Sequence, residues 1–450
     1  MAQVIKLRKG LDINLAGKAS TQWVTVKPSG EYALVPGDFT GMMPKVVVRE
    51  GDQVKAGDAL FVNKKFPEVA FASPVSGTVT AVVRGERRKL LCVKVKADEK
   101  QSYRDFGVKD LAQLDGETVV KALLEGGLFG YINQLPYAVS TTPDTMPKAI
   151  FVSAFRDMPL SADFDMELQG NEKAFQTGLS ALSRVAKTYL GISRSQASGA
   201  LSEMKNVEVN VFDGPCPAAN VGVQVNHLDP VNKGEVVWTV DPTSVIFIGR
   251  LFGEGKVDLR RTIALAGSEM SNPCYAEVMV GQPLRDVLAG HFDGREHVRL
   301  ISGNPLTGRK CSLDDYVGAH ASEVTAIPEG DDNDEMLGWI MPRFKQFSAN
   351  RSYFSWLFGK KREYTLDARV KGGERHMIMS GEYDSVMPMD IYPEYLIKAI
   401  ITGNIDKQEQ LGIYEVAPED FALAEFVDSS KLELQRIVRE GLDLLRKENA

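Results

Sequence analysis

The stretch Lys45 to Val83, KVVVREGDQVKAGDALFVNKKFPEVAFASPVSGTVTAVV, decides how the first part of the chain folds. Val46, Val47 and Val48 run into Gly51-Asp52, and Gly57-Asp58 follows. Both dipeptides favour tight turns, because glycine reaches positive φ without a Cβ clash and an aspartate side chain bonds nearby backbone N–H groups. Ser73-Pro74 and Ser76-Gly77 punctuate the second half. The pattern predicts two half-barrels of short strands joined by a hairpin at Lys64-Lys65.

At 450 residues, 44% hydrophobic and 25% charged, the chain can build several cores, and roughly 150 residues per domain implies three or four. A net charge of -7 opposes attraction to phosphate backbones, so no nucleic-acid partner is expected. Cys92, Cys216, Cys274 and Cys311 lie far apart with no CxxC pair, which offers neither a zinc site nor a cysteine-ligated iron-sulfur cluster and fits reduced thiols. The start, MAQVIKLRKGLDINLAG, lacks the apolar core of a signal peptide, and no run of 18 apolar residues occurs. A cytoplasmic chain that does not cross a bilayer is expected.

Downstream, Leu90 to Val95 closes as a strand and a charged stretch leads to the glycine cluster Gly126-Gly127-Leu128-Phe129-Gly130-Tyr131. Ala149 to Ala154 suits a buried strand, while Leu179, Leu182, Val185, Ala186 and Tyr189 recur at helical spacing, an α/β unit. Val207, Val209 and Val211 alternate with polar Glu208 and Asn210 before Phe212-Asp213-Gly214, the pattern of a strand ending in a turn. Arg261 to Gly267, Tyr275 to Val280 and Gly281 to Leu288 read as a hairpin and a helix begun near Pro283, a β-grasp signature. The acidic run Asp331 to Glu335 lacks calcium-loop spacing and reads as a solvated linker. Ser430 with Glu433 forms a capping-box pattern before Leu434, Val438, Leu442 and Leu445, which predicts a terminal amphipathic helix.

The half-barrels resemble the biotinyl/lipoyl barrel-sandwich hybrid. Carriers of that fold bear their cofactor on a hairpin-tip lysine, usually beside Met or Ala. Here Phe66-Pro67 follows Lys64-Lys65, and the proline ring removes a donor and stiffens the turn, so a structural hairpin is expected. Six further pieces, in order, carry a wider resemblance. They are Ile5-Lys-Leu-Arg-Lys-Gly10-Leu-Asp, Gly51-Asp-Gln-Val-Lys, Ser73-Pro-Val-Ser-Gly77, Phe212-Asp-Gly-Pro215, Arg261-Thr-Ile-Ala-Leu-Ala-Gly267 and Tyr383-Asp-Ser-Val-Met-Pro388. Over essentially its whole length the chain resembles the family of the A subunit of the sodium-translocating NADH:quinone oxidoreductase. That family is similar in fold to the flavin subunit of complex I and to the C subunit of the Rnf complex.

The resemblance implies a multidomain α/β and α+β fold. Residues 1–100 would form the barrel-sandwich hybrid and 101–255 a Rossmann-like α/β domain with a degenerate flavin loop. Residues 256–330 would form a β-grasp (soluble ligand-binding) domain, and 331–450 a C-terminal helical domain. It also implies a peripheral subunit, on the cytoplasmic side of the bacterial inner membrane, in a six-subunit complex that oxidises NADH, reduces quinone to quinol and exports sodium. FMN, FAD, riboflavin and iron-sulfur centres would sit in partner subunits, with quinone as substrate and no catalysis by the isolated chain. The flavin relatives use a G-R-G-G-A-G-F-type loop; Leu128-Phe129 puts bulk where backbone should approach the cofactor, and only Asp157 remains of the acidic pair. Ala424 and Asp428 stand where several relatives carry cysteines. A flavin-binding NADH dehydrogenase module and a lipoyl-like carrier are the competing readings.

A quinone needs an apolar slot and a few donors toward its carbonyl oxygens. Two stretches have that chemistry: Phe39, Met42 and Met43 near Gly37 and Gly41, and Phe129, Tyr131, Gln134, Pro136 and Tyr137 with Asn133. Core packing is the competing role for each. Tyr353, Phe354, Trp356 and Phe358, followed by Lys360, Lys361 and Arg362, suit a membrane interface or a partner subunit, against a hairpin buried at a domain seam. His227 and His376 are candidate proton donors or structural histidines.

Overall fold

The structure, a computed structural model, describes residues 3–332, 340–359 and 361–449. Asn333 to Glu335 of the acidic run, and Lys360, therefore lie outside the described residues.

The predicted turns form by the predicted means. Asp52 accepts the Arg49 N–H at 2.7 Å and Asp58 accepts the Lys55 N–H at 2.8 Å, with Gly51 and Gly57 at φ of +91° and +98°. Around them stand a four-stranded sheet, in the order Glu31–Leu34, Leu90–Ala97, Gly77–Arg84 and Gln53–Val54, and a three-stranded one of Pro44–Val46, Ala59–Asn63 and Ala70–Ala72. In the hairpin that ends at Lys64-Lys65, Phe61 pairs with Phe71, and both rings are buried and stacked at 4.9 Å.

A seven-stranded sheet forms the centre. Its order is Gln3–Lys6, Glu208–Asp213, Lys187–Ser193, Ala149–Ser153, Val237–Val240, Ile132–Leu135 and Val139–Ser140. The first five run parallel and the last two close it as an antiparallel hairpin. Parallel strands are covered on both faces, and alternate residues of Ala149–Ser153 divide between two cores: Ile150 and Val152 go to one, Ala149 and Phe151 to the other. On the first face helices Glu172–Val185 and Pro242–Glu254 pack together closely. A Cβ at Gly178 would strike the Val245 carbonyl, and one at Gly249 the Ala174 carbonyl.

Two local expectations are corrected. Helix Glu172–Val185 stops before Ala186, and Tyr189 lies in the following strand, because helical and strand periods coincide at that spacing. Ser430 does not cap the last helix, Leu434–Glu448; its hydroxyl accepts the Ile378 N–H at 3.0 Å and Glu433 holds the cap position. Leu434, Val438, Leu442 and Leu445 are all fully buried, as the periodicity predicts.

The hairpin Arg260–Ala266 and Cys274–Met279 belongs to a six-stranded mixed sheet with Glu323–Pro328, Val298–Ser302, Arg309–Cys311 and Trp23–Thr25. The helix after Pro283 spans only Leu284–Val287. Short helices at Glu382–Val386, Pro393–Ile401, Ile405–Gln410 and Ala422–Val427 surround the terminal helix. Among the described residues no helix is long and apolar enough to cross a membrane.

The helix pair gives a direct test. Gly249→Ala gains helix propensity of about 1 kcal/mol but forces two backbones apart. Urea unfolding is expected to show a net loss of about 1–3 kcal/mol, whereas exposed Gly253→Ala, with only Thr177 side-chain atoms near, is expected to be neutral or stabilising.

Candidate functional site

Open parallel sheets bind ligands beyond the carboxyl ends of their strands, where the strand order reverses. In chain order the four consecutive parallel strands begin with Ala149–Ser153, and the reversal lies between it and Val237–Val240. Arg156 stands just past the first of these strands. Asp241 stands just past the second, where Asp-Pro-Thr starts a helix: Asp241 accepts the Thr243 N–H, and Pro242 occupies a position with no N–H bond to lose.

A buried ionic network fills this crevice. Arg156 Nη2 lies 3.3 Å from Asp241 Oδ1, 3.5 Å from Glu167 Oε2 and 3.3 Å from Thr243 Oγ1. Thr243 donates to Glu167 at 2.9 Å. Arg261, from the six-stranded sheet, enters from the other side. Its Nη2 reaches Thr243 Oγ1 at 3.4 Å and its Nη1 donates to the Ala319 carbonyl at 2.6 Å. The Ala319 N–H in turn donates to Asp38 at 2.8 Å. One chain of contacts thus joins a barrel turn, the mixed sheet and the central strand ends.

Burial sets the protonation of these groups. It raises the Glu167 carboxyl above its ordinary range against the pull of Arg156 and Arg261. It would raise Asp241 too, but Arg156 and Arg261 outweigh it and hold that carboxyl low. Burial raises Asp38 although the Ala319 N–H opposes it. It also lowers His320, despite Asp241 and Asp38 nearby, so the imidazole is neutral near pH 7.

Beside the network three rings converge. Phe39 and Tyr131, both buried, meet edge-on with centroids 5.1 Å apart, and the His320 ring lies 5.6 Å from each. Phe71 backs Phe39 at 4.3 Å. Tyr131 Oη, His320 Nε2, Arg261 Nε, Arg156 Nη1 and Glu167 Oε1 are all buried without a hydrogen-bond partner. An unmade bond costs about 1–3 kcal/mol for each such group, and their gathering in one seam makes it the candidate site.

The structure brings only Phe39 and Tyr131 together. Phe129 turns away, edge-on to Trp238 at 5.5 Å. Gln134 accepts the Thr141 hydroxyl at 3.1 Å, and Pro136 follows a cis peptide bond. Tyr137 faces the terminal helix, its carbonyl taking Arg439 and its hydroxyl taking Asn449 at 3.3 Å. Met42 packs half-buried on the barrel core and Met43 is exposed. His227 and His376 are exposed and remote from this cluster. His320 and Arg261 complete the site. Arg261 stood in a quoted motif without an assigned role, and His320 carried no sequence signal, being a lone histidine in a loop.

The residues do not fit a flavin. Gly127 and Gly130 abut Ala72 and the Phe71 ring, where a Cβ would be too close, and Leu128 and Phe129 are fully buried. Arg156 and Arg261 fill the reversal point itself.

The aromatic segment lies elsewhere. It forms a 3-10 turn, Phe354–Phe358, on the surface rather than a buried hairpin; Phe354, Trp356, Phe358 and Lys361 are exposed, and Tyr353 and Arg362 half-buried.

Two outcomes follow from this geometry. Arg261→Met leaves Asp241 and Glu167 with one guanidinium instead of two and is expected to cost about 3–5 kcal/mol in denaturant unfolding. Asp157, also at the strand ends, has its carboxyl pushed up to about 6 by burial, although the Ala219 N–H bonds it. A raised acid stabilises fully below its unfolded value near 4, and the contribution is lost as pH rises through 6. Between pH 4 and 7 the native chain should lose about 3 kcal/mol from this group, and Asp157→Asn should flatten that slope.

Comparison with known proteins agrees with this architecture. Residues 5–98 match the NqrA N-terminal barrel-sandwich hybrid domain, 114–257 the NqrA second alpha/beta domain, and 262–312 the NQRA C-terminal domain. The A subunit of the Na(+)-translocating NADH-quinone reductase of Yersinia pestis bv. Antiqua is 35% identical over 99% of this chain and 100% of its own length. The corresponding protein of Pasteurella multocida is likewise 35% identical over 99% of this chain and 100% of its own. A chain of NAD+-reducing [NiFe]-hydrogenase in the air-oxidized state superposes at a TM-score of 0.34 with 12% identity, over 77% of this chain and 72% of its own, a likeness too slight to carry any argument. With matched domains in order and end-to-end similarity at this level, the chain belongs to the family of the A subunit of the Na(+)-translocating NADH-quinone reductase.

Proposed function

We propose that the chain serves a sodium-translocating NADH:quinone reductase as its quinone-associated subunit, with the headgroup held at the seam of Phe39, Tyr131 and His320. The observation that carries this reading is the donor set. A quinone offers two carbonyl oxygens that only accept, and Tyr131 Oη, His320 Nε2 and Arg261 Nε are buried beside aromatic rings without partners. Reduction takes two electrons and two protons. The electrons come from flavins and iron-sulfur centres in partner subunits, and a cation such as Arg261 stabilises the charge growing on the oxygens.

The wider reading is a peripheral member, on the cytoplasmic side of the bacterial inner membrane, of a six-subunit complex that oxidises NADH and exports sodium. Domain limits at 1–100, 101–255, 256–330 and 331–450 go with it, the second Rossmann-like and the third a β-grasp. The strand reversal in the central sheet supports the former, and the hairpin followed by a short helix supports the latter. Met42, Met43, Phe129, Gln134, Pro136 and Tyr137 belong to this reading as neighbours in the same two stretches that support the quinone-associated region, not as contacts of the headgroup. Tyr353 to Arg362 belong to it as the contact with partners or membrane. The crowding at Gly127 and Gly130 favours it over a flavin-bearing dehydrogenase.

A photoreactive quinone incubated with the complex is expected to label peptides containing Phe39 or Tyr131. His320→Phe removes a buried orphan nitrogen and is expected to leave unfolding stability equal or higher by about 1 kcal/mol while lowering quinone reduction at least tenfold. Labelling confined to other segments, or an unchanged rate, rejects the seam as the site.

A further inference from the structure

Residues 340–362 carry six cations, Arg343, Lys345, Arg351, Lys360, Lys361 and Arg362, and no carboxylate before Glu363, in a chain whose net charge is -7. The described part of this segment also exposes large apolar side chains. Ile340, Met341, Phe344, Phe354, Trp356, Leu357 and Phe358 are all exposed, Leu357 by 60% and Phe358 by 56%. Three of the rings cluster: Phe344 lies 6.0 Å from Phe354 and 6.1 Å from Phe358, and Trp356 and Leu357 belong to the same 3-10 turn as the last two. Cations lie over its rings, Arg351 at 5.3 Å from Trp356 and Arg362 at 4.5 Å from Phe358. Among the described residues, Lys345, Arg351, Lys361 and Arg362 have no carboxylate within ion-pair distance.

Scattered apolar side chains on a surface need no explanation, but a contiguous group of large rings does. Here Tyr353, Trp356 and Phe358 each have a guanidinium over the ring face. Such pairing suits the boundary between headgroups and acyl chains, where rings enter the apolar layer and guanidinium groups remain at the phosphates. Uniform positive charge on an acidic chain selects an anionic partner, and flexible stems without fixed acceptors match fluid phosphates better than a shaped protein groove. We propose that this patch rests on anionic lipid headgroups, so that the chain touches the bilayer directly beside its membrane partners. This rests on the reading of the chain as a peripheral subunit of a membrane complex.

The test uses the purified full chain with vesicles of phosphatidylcholine alone or mixed with phosphatidylglycerol. Sedimentation is expected to show binding only to the acidic vesicles, weakening as salt rises. The triple variant Lys345→Glu, Arg351→Glu, Lys361→Glu should bind about tenfold or more weakly with an unchanged melting temperature, because these side chains are exposed. Brominated acyl chains should quench the native fluorescence, and Trp356→Phe should abolish that quenching. No binding to acidic vesicles, or binding that charge reversal leaves intact, overturns the proposal. If the triple variant then fails to co-purify with the membrane subunits, the patch docks on protein and the peripheral reading survives. If co-purification of the native chain with membrane subunits also fails, that reading falls as well.

Discussion

A single desolvated cation, Arg261, fixes how the parts of this molecule meet. A guanidinium taken out of water must be surrounded by acceptors and opposing charge, and Arg261 finds them in the Ala319 carbonyl, Thr243 and the field of Asp241 and Glu167. Through the Ala319 peptide the same contact reaches Asp38 in the barrel. Buried ion networks return little stability against an apolar filling of equal volume, yet each member becomes costly to displace. The effect is positional, since three sheets of separate origin share one register at their junction.

That junction occupies the crevice where an open parallel sheet ordinarily receives a nucleotide. Side chains from the chain itself stand there, and the glycine turn that would cradle a phosphate is pressed against Phe71 and Ala72. What stands beside the filled crevice is a seam of packed rings and unpartnered polar atoms.

Much of the fold is legible in the sequence because its causes are local. Asp52 and Asp58 close their turns on N–H groups three residues away, and the spacing of Leu434, Val438, Leu442 and Leu445 lines one helix face. Reading fails where a distant partner intervenes. Ser430 has the chemistry of a cap, but Ile378 claims its hydroxyl; Tyr189 keeps helical spacing, but the chain turns into a strand at Lys187. The site divides in the same way. Aromatic composition points to Phe39 and Tyr131, whereas His320 has neither period nor motif and becomes visible only when a loop of another sheet brings it against them.

The first residues of the chain are built into sheets whose other strands come much later. Gln3–Lys6 forms the edge of the central sheet beside Glu208–Asp213, and Trp23–Thr25 pairs with Tyr275 to Glu277. At about 5–20 residues per second, a ribosome takes roughly 10–40 s to reach the first of these partners. During that interval these strand-forming residues have open backbone groups and no partner, a template for unwanted pairing. Closure of the molecule is therefore timed by translation, and an early-made end has to be kept solvated until its berth exists.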